Sequence, residues 1–268
     1  MKENIAKSIK KTMLEVSFKV RGAHMGSNLS CIDILGALYF DVMDIGEENF
    51  EKRDIFILSK AHSALALYCT LYHRGLISKK ELDGYYVNDG ILPAHLDRFS
   101  CKYVEFSGGS LGHGLPIALG YAFSLKQQYF KNKKEKIRNV YCLMGDGEIQ
   151  EGSVWEAAML ASKLELGNLV ALVDYNNLQG YGRAKELVSM DPLDKKWESF
   201  GWDCVVVDGH NCTEITNAIK KYKSENKPLC IVCKTVKGKG VSFMEDRLEW
   251  HYYAISEDEL KQALEELK

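Results

Sequence analysis

The chain lacks several features on which a function could rest. No run of eighteen or more apolar residues occurs in its 268 positions, which excludes a transmembrane helix. Met1-Lys2-Glu3-Asn4 leads into a mixed polar segment with no apolar signal core, so the expectation is a cytoplasmic protein with no membrane partner. Only four prolines are present, with no Pro/Ser-rich linker, internal repeat or low-complexity tract to mark a boundary, and residues 1–268 read as one domain. Charge of one sign is also missing. Thirty-five Lys+Arg oppose 37 Asp+Glu for a net charge of −2, giving no footprint for a nucleic-acid backbone. None of the seven histidines forms an HxH or HxxxH pair, which argues against a hydrolytic metal centre built from His24, His62 and His95.

Eight cysteines are present, mostly inside apolar segments, and free buried thiols in a reducing compartment are expected. The one CxxC, Cys230 to Cys233, lies in a run that reads as a strand. An offset of three puts the two sulfurs on opposite faces, against a redox or zinc role.

Helical periodicity covers residues 4–20, 31–43, 62–74, 78–86, 113–130, 151–164, 213–223 and 256–267. Ser78 with Glu81, and Ser256 with Glu259, form capping boxes. Short apolar runs at 55–58, 140–144, 169–173, 204–207 and 229–236 suit buried strands. Alternating strands and helices predict a three-layer α/β/α fold on a mainly parallel sheet. The lysine-rich stretch Lys131 to Lys136 reads as a solvated helix end, and Trp155 and Glu156 as helix packing and surface.

Chemistry concentrates after the strands. Leu143-Met144-Gly145-Asp146-Gly147-Glu148 follows the strand at 140–144 directly, where parallel sheets collect ligands. Its two glycines let backbone approach an anion, although a tight turn would also use them. Asn176 stands 30 positions after Asp146, one strand end to the next across a βαβ unit. Asp, Asn and a nearby carbonyl are hard oxygen donors, which suit Mg²⁺ holding a diphosphate.

This Gly-Asp-Gly…Asn-Asn arrangement resembles the thiamine-diphosphate signature, and Gly145 to Ala157 resembles its transketolase version. Four more ordered motifs match that family: Arg21 to Ser30, Ser59-Lys60-Ala61-His62, Ser107 to Gly114, and Lys234 to Gly240 followed by Glu249-Trp250-His251. The resemblance covers nearly the whole chain and implies a thiamine-diphosphate-binding fold. It implies that Asp146, Asn176 and the carbonyl of Leu178 hold Mg²⁺ or Ca²⁺. Gly147, His62, Lys237 and His251 would contact the diphosphate, with Glu148 and Asn176 beside them. Ser27, Gly109 and Leu111 would line the cofactor channel. His24, His95 and His251 are the implied catalytic histidines, the first two over the sugar hydroxyls, and Glu151 resembles an acidic residue linking two sites across a dimer. His73 and His210 receive no role.

The family's second half is not matched, and after His251 only 17 residues remain, ending in a capped helix. Either the chain is truncated or it is one subunit of a split enzyme, and the capped end favours the second: this chain plus a C-terminal, pyrimidine-binding transketolase-like subunit, expected in an α₂β₂ assembly acting on sugar phosphates. Four positions depart from the common pattern: Ala23-His24-Met25 for Gly-His-Pro, Asn28 for a small residue, His113 for Gln, and Tyr252 for the glycine after the last histidine. All four surround the expected substrate pocket, so a specialised sugar is one reading. The competing readings are a keto-acid enzyme using the same cofactor and a non-catalytic Mg-diphosphate module. His24 and His95 favour sugar hydroxyls over a keto acid. The intact Asp146, Asn176, His62 and His251 favour catalysis over degeneration.

Overall fold

The computed structural model describes residues 3–46, 49–132, 137–222 and 224–268. Five strands form one parallel sheet in the order β1-β2-β3-β5-β4. They are β1 (Ile55–Leu58), β2 (Val140–Gly145), β3 (Leu169–Tyr175), β4 (Asp203–Asp208) and β5 (Leu229–Lys234). β1, β2, β3 and β5 are near-continuous apolar runs because helices cover both faces of the sheet. Alternate residues of each strand divide between two cores. Phe56, Leu58, Tyr141, Leu143, Val170, Leu172 and Ile231 face one helical layer. Ile55, Ile57, Cys142, Met144, Ala171, Val173 and Val232 face the other. The expected three-layer arrangement is present. Cys230 and Cys233 fall in opposite cores, and all eight cysteines are free.

The first layer is built from α1 (Glu3–Val20), α2 (Met25–Ser30), α3 (Ile32–Ala37), α4 (Ala64–His73), α5 (Lys79–Asp83) and further on α10 (Cys212–Lys221) and α11 (Glu257–Glu266). The second holds α6 (Gly114–Asn132), α7 (Gly152–Lys163) and α9 (Leu193–Ser199), with a short α8 (Ala184–Leu187) on the way. Both capping boxes form. Trp155 packs on Trp197 and Phe200, its indole N–H donating to the Ile149 carbonyl at 2.8 Å, so the packing role holds. No helix among the described residues is long and apolar enough to cross a membrane.

Two helical expectations need correction. The single helix at 31–43 is broken: α2 begins earlier at Met25, Cys31 leaves helical geometry (φ −102, ψ 2), and a π-turn at Leu38–Val42 follows α3. The helix at 78–86 stops at Asp83, and Tyr86 has a positive φ of 50 that no helix continues through. α8 and α9 were not anticipated. Of the lysine-rich stretch, Lys131 is exposed, while residues 133–136 lie outside the described residues, as does Lys223 at the end of the helix expected over 213–223.

Candidate active site

The parallel register places the chemistry. Gly145 of β2 pairs with Asp174 of β3, so Asp146 and Asn176 emerge side by side at the carboxyl edge. Ser59 and Lys60 follow β1, and Lys237 follows β5, at the same edge. A cavity of about 330 Å³ opens there. Of the expected residues, His24, Ser27, His62, His95, Gly109, Leu111, Asp146, Gly147, Glu148, Asn176, Leu178 and His251 all line it. Lys237 does not line it but is buried behind it, against His251 and the Leu178 carbonyl. His113 and Glu151 are exposed and do not line it.

Four imidazoles gather over the opening. The His24 ring centroid lies 5.0 Å from His251, 5.4 Å from His62 and 5.9 Å from His95. They come from four unrelated places: the turn before α2, the turn after β1, the irregular segment 84–113, and the 3₁₀ turn Leu248–His251. His24 sits at φ 65, ψ 20, a conformation that costs a non-glycine residue about 1 kcal/mol or more and needs the surroundings to impose it. Its amide donates to the His251 carbonyl at 3.2 Å, and its carbonyl accepts from the Asn28 side chain at 2.9 Å. Asn28, one of the departures, therefore holds His24 in place.

Lys237 runs over Gly26, where a Cβ would sit 2.9 Å from the lysine Cγ. Its ammonium donates to the Leu178 carbonyl at 2.8 Å and contacts His251 Nδ1 at 3.0 Å. Burial, then repulsion from Lys60, pushes Lys237 down to about 8. Burial first, and then neighbouring His95, Lys237 and Lys60, pushes His24 down to about 4. Burial and Lys237 take His251 to about 3, and His62 falls well below its usual range through burial and Lys60. The cavity wall thus carries ammonium groups and neutral imidazoles in a field that disfavours further positive charge.

The residues expected to hold a metal stand together at this edge. Asp146 is buried and its Oδ1 accepts from the Gly147 amide at 2.8 Å, while its Oδ2 has no partner in hydrogen-bond geometry among the described residues. Burial, reinforced by Asp174, pushes this carboxyl up to about 6, against the pull of Lys60 and of the Gly147 and Asn177 amides. Asn176 Oδ1 accepts from the Leu178 amide at 3.0 Å and its amide group donates to Ser30 Oγ at 3.4 Å. Among the described residues no cluster of three or more His, Cys, Asp or Glu side chains is arranged as metal ligands. The donors here are instead one carboxylate, one amide oxygen and one carbonyl.

Several site residues escaped sequence reasoning. Lys60 and Asp174, 1% and 0% exposed, form a buried ion pair below the cavity. Lys60 also donates to the Ser27 carbonyl at 3.1 Å, and Asp174 accepts from Ser30 at 2.5 Å and from Thr235. Lys60 belongs to the Ser-Lys-Ala-His motif, the one signal that could have marked it. Glu148 works as a brace: it accepts from Ser59, from the Gly112 amide at 2.9 Å and from the Gly145 amide at 3.2 Å. Gln179, Gly180, Tyr181 and Tyr252 complete the lining. His210, left without a role, accepts the Val236 amide at 2.8 Å and meets Asp33 at 3.0 Å, which fixes the backbone just before Lys237. His73 meets Thr12 at 2.8 Å.

The fold and site define an α/β protein with a polar pocket at the carboxyl edge of a parallel sheet. The family model described as "Transketolase, thiamine diphosphate binding domain" matches residues 1–268, and the chain belongs to that family. It is 39% identical over 99% of its length to one subunit of the apulose-4-phosphate transketolase of Actinobacillus succinogenes, and it covers 95% of that subunit. It is 37% identical over 98% of its length to a 6-deoxy-6-sulfo-D-fructose transketolase subunit of a Clostridium species, covering 94% of that protein. The solved transketolase of Campylobacter jejuni superimposes with a TM-score of 0.92 at 27% identity, over 99% of this chain. Against that structure, as against human transketolase (33% identical), the chain spans 42% of the relative's length.

Proposed function

We propose that this chain is the diphosphate-binding subunit of a split, thiamine-diphosphate- and Mg²⁺-dependent transketolase. It transfers a two-carbon ketol unit from a ketose to an aldose, together with a second subunit that supplies the pyrimidine-binding half. The observation that carries the reading is the unpartnered Oδ2 of Asp146, a residue lining a cavity that His62 and His251 also line and behind which Lys237 is buried. An orphaned carboxylate oxygen calls for a cation, and ammonium and imidazole donors call for an anion. A metal diphosphate answers both.

Asp146, Asn176 and the Leu178 carbonyl would hold the metal, and His62, His251, Lys237 and the Gly147 segment the diphosphate. Thiamine diphosphate, when bound, supplies the electron sink for carbon–carbon cleavage beside a ketose carbonyl. His24 and His95 hold sugar hydroxyls, and His24, kept neutral by burial and its cationic neighbours, accepts a hydroxyl proton. The Lys60–Asp174 pair and Glu148 keep the floor of the site rigid.

The substrate class is a specialised sugar or sugar phosphate. Both split-enzyme relatives carry names of such sugars, and Asn28 and Tyr252 alter the pocket at His24 and His251. The two-subunit reading rests on the extent of the match to these relatives and on the 42% coverage of single-chain transketolases. Eight free cysteines fit a cytoplasmic setting. Native mass spectrometry of the chain purified from its own cells with Mg²⁺ tests the assembly. Two copies with two copies of a second protein and two thiamine diphosphates are expected. A cofactor-free monomer or homodimer would overturn the reading.

A further inference from the structure

Resting on that reading, we propose that the side-chain amide of Gln179 is an additional ligand of the cofactor's diphosphate, donating its N–H to an anionic oxygen. Gln179 lines the cavity beside Asp146, Gly147 and Asn176. Its Nε2 is buried and has no hydrogen-bond partner among the described residues. It is thus an orphan donor of the cavity, as Asp146 Oδ2 is an orphan acceptor, and the two complement the opposite charges of a metal diphosphate. Buried amides are almost always paired, so an unpaired one on a cavity-lining residue marks a missing acceptor.

The chain around Gln179 is held in place by its neighbours. The backbone amide of Gln179 donates to the Gly182 carbonyl at 3.0 Å. The Leu178 carbonyl on one side is gripped by Lys237, and the Gly180 carbonyl on the other accepts from the Tyr252 hydroxyl at 2.9 Å. Tyr252, the unexplained departure after His251, is therefore a strap on this loop, and its ring stands 4.9 Å from His251. The Gln179 side chain lies across Gly147: a Cβ there would come within 2.9 Å of Oε1 and 3.0 Å of Cδ. The absence of a side chain at position 147 makes room for Gln179. A neutral donor also suits the place, since Lys60 and Lys237 already repel further positive charge.

The test is calorimetric titration of Mg²⁺–thiamine diphosphate into the chain assembled with its second subunit, comparing the native protein with Gln179→Met, Gln179→Glu and Asp146→Asn. Met keeps the length and removes the donor; Glu puts a carboxylate against the anion. Loss of a hydrogen bond to a charged group predicts roughly 10- to 100-fold weaker binding for Gln179→Met. Gln179→Glu should weaken it further, with thermal midpoints of the cofactor-free proteins unchanged. Native-strength binding in Gln179→Met, with Asp146→Asn defective, would overturn this inference and leave the proposed function standing. Absence of binding in the native assembly, or native-strength binding in the assembly carrying Asp146→Asn, would overturn the function reading itself.

Discussion

Asp146 sets the strongest quantitative prediction, because its burial opposes its role. In the metal-free protein burial and Asp174 push its carboxyl from 3.8 up to about 6. A shift of that size corresponds to about 3 kcal/mol of destabilisation once the group is ionised. The sign follows from linkage: the folded state binds the proton more tightly than the unfolded chain. The penalty is therefore absent below about pH 4, grows between pH 4 and 6, and is complete above. Asn cannot ionise, so the stability difference between Asp146→Asn and the native chain should change by about 3 kcal/mol in favour of the variant from pH 4 to pH 7. Any fixed cost of burying the new amide cancels in that change. Urea unfolding in chelator at fixed protein concentration, at half-unit pH steps, measures it. Added Mg²⁺ should restore the native chain by mass action and leave the variant unmoved. A difference flat within 1 kcal/mol across the range would refute the claim that Asp146 is a strained, cation-seeking carboxylate.

Two further substitutions separate chemistry from scaffold. His24→Ala, in the presence of the second subunit, should retain cofactor binding by calorimetry while ketol transfer falls by roughly 100-fold or more, the usual scale for a lost acid–base group; unchanged turnover would remove His24 from the chemistry. Lys60→Met leaves Asp174, 0% exposed, charged and without its ion partner, and should cost about 3–5 kcal/mol of unfolding free energy; a loss below 1 kcal/mol in urea unfolding would show that Ser30 and Thr235 alone satisfy Asp174.

The placement of Asp146 and Asn176 was legible because parallel pairing leaves little freedom. Once 140–144 and 169–173 are strands joined by a helix, their carboxyl ends must meet at one edge. The opposite faces of Cys230 and Cys233 follow equally from strand alternation. What stayed hidden is tertiary in origin. Residues 25–30 hold Gly26, Ser27, Asn28 and Ser30, poor helix formers, and form α2 because the whole segment is buried between α4, Lys237 and Trp250. α9 is seven residues, less than two full turns, too short for a clear period. It is fixed by Trp197 packing on Trp155 and Trp202. Lys60 and Asp174 look like ordinary charges in sequence, since only the packed structure shows both buried. Gln179 carries no signal beyond its position after Leu178, because an orphan donor is defined by what surrounds it.

The same electrostatics couples the two halves of the pocket. Lys60 lies between them: its charge lowers the affinity of His24, His62, His251 and Lys237 for protons and also opposes the rise at Asp146. Were Lys60 neutral, Asp146 would hold its proton more tightly, and a cation would have to displace it. Were Asp174 absent, Lys60 would repel the cation outright. The buried pair is thus tuned to keep Asp146 available while leaving a net positive wall for the anion. A metal on Asp146 lowers its affinity for protons, and an anion against the wall raises that of the imidazoles. Loading with metal alone should therefore release protons below pH 7, and loading with metal and diphosphate together should release fewer. Calorimetry of both loadings in buffers of different ionisation enthalpy reads that difference directly, and equal proton release in the two cases would refute the coupling.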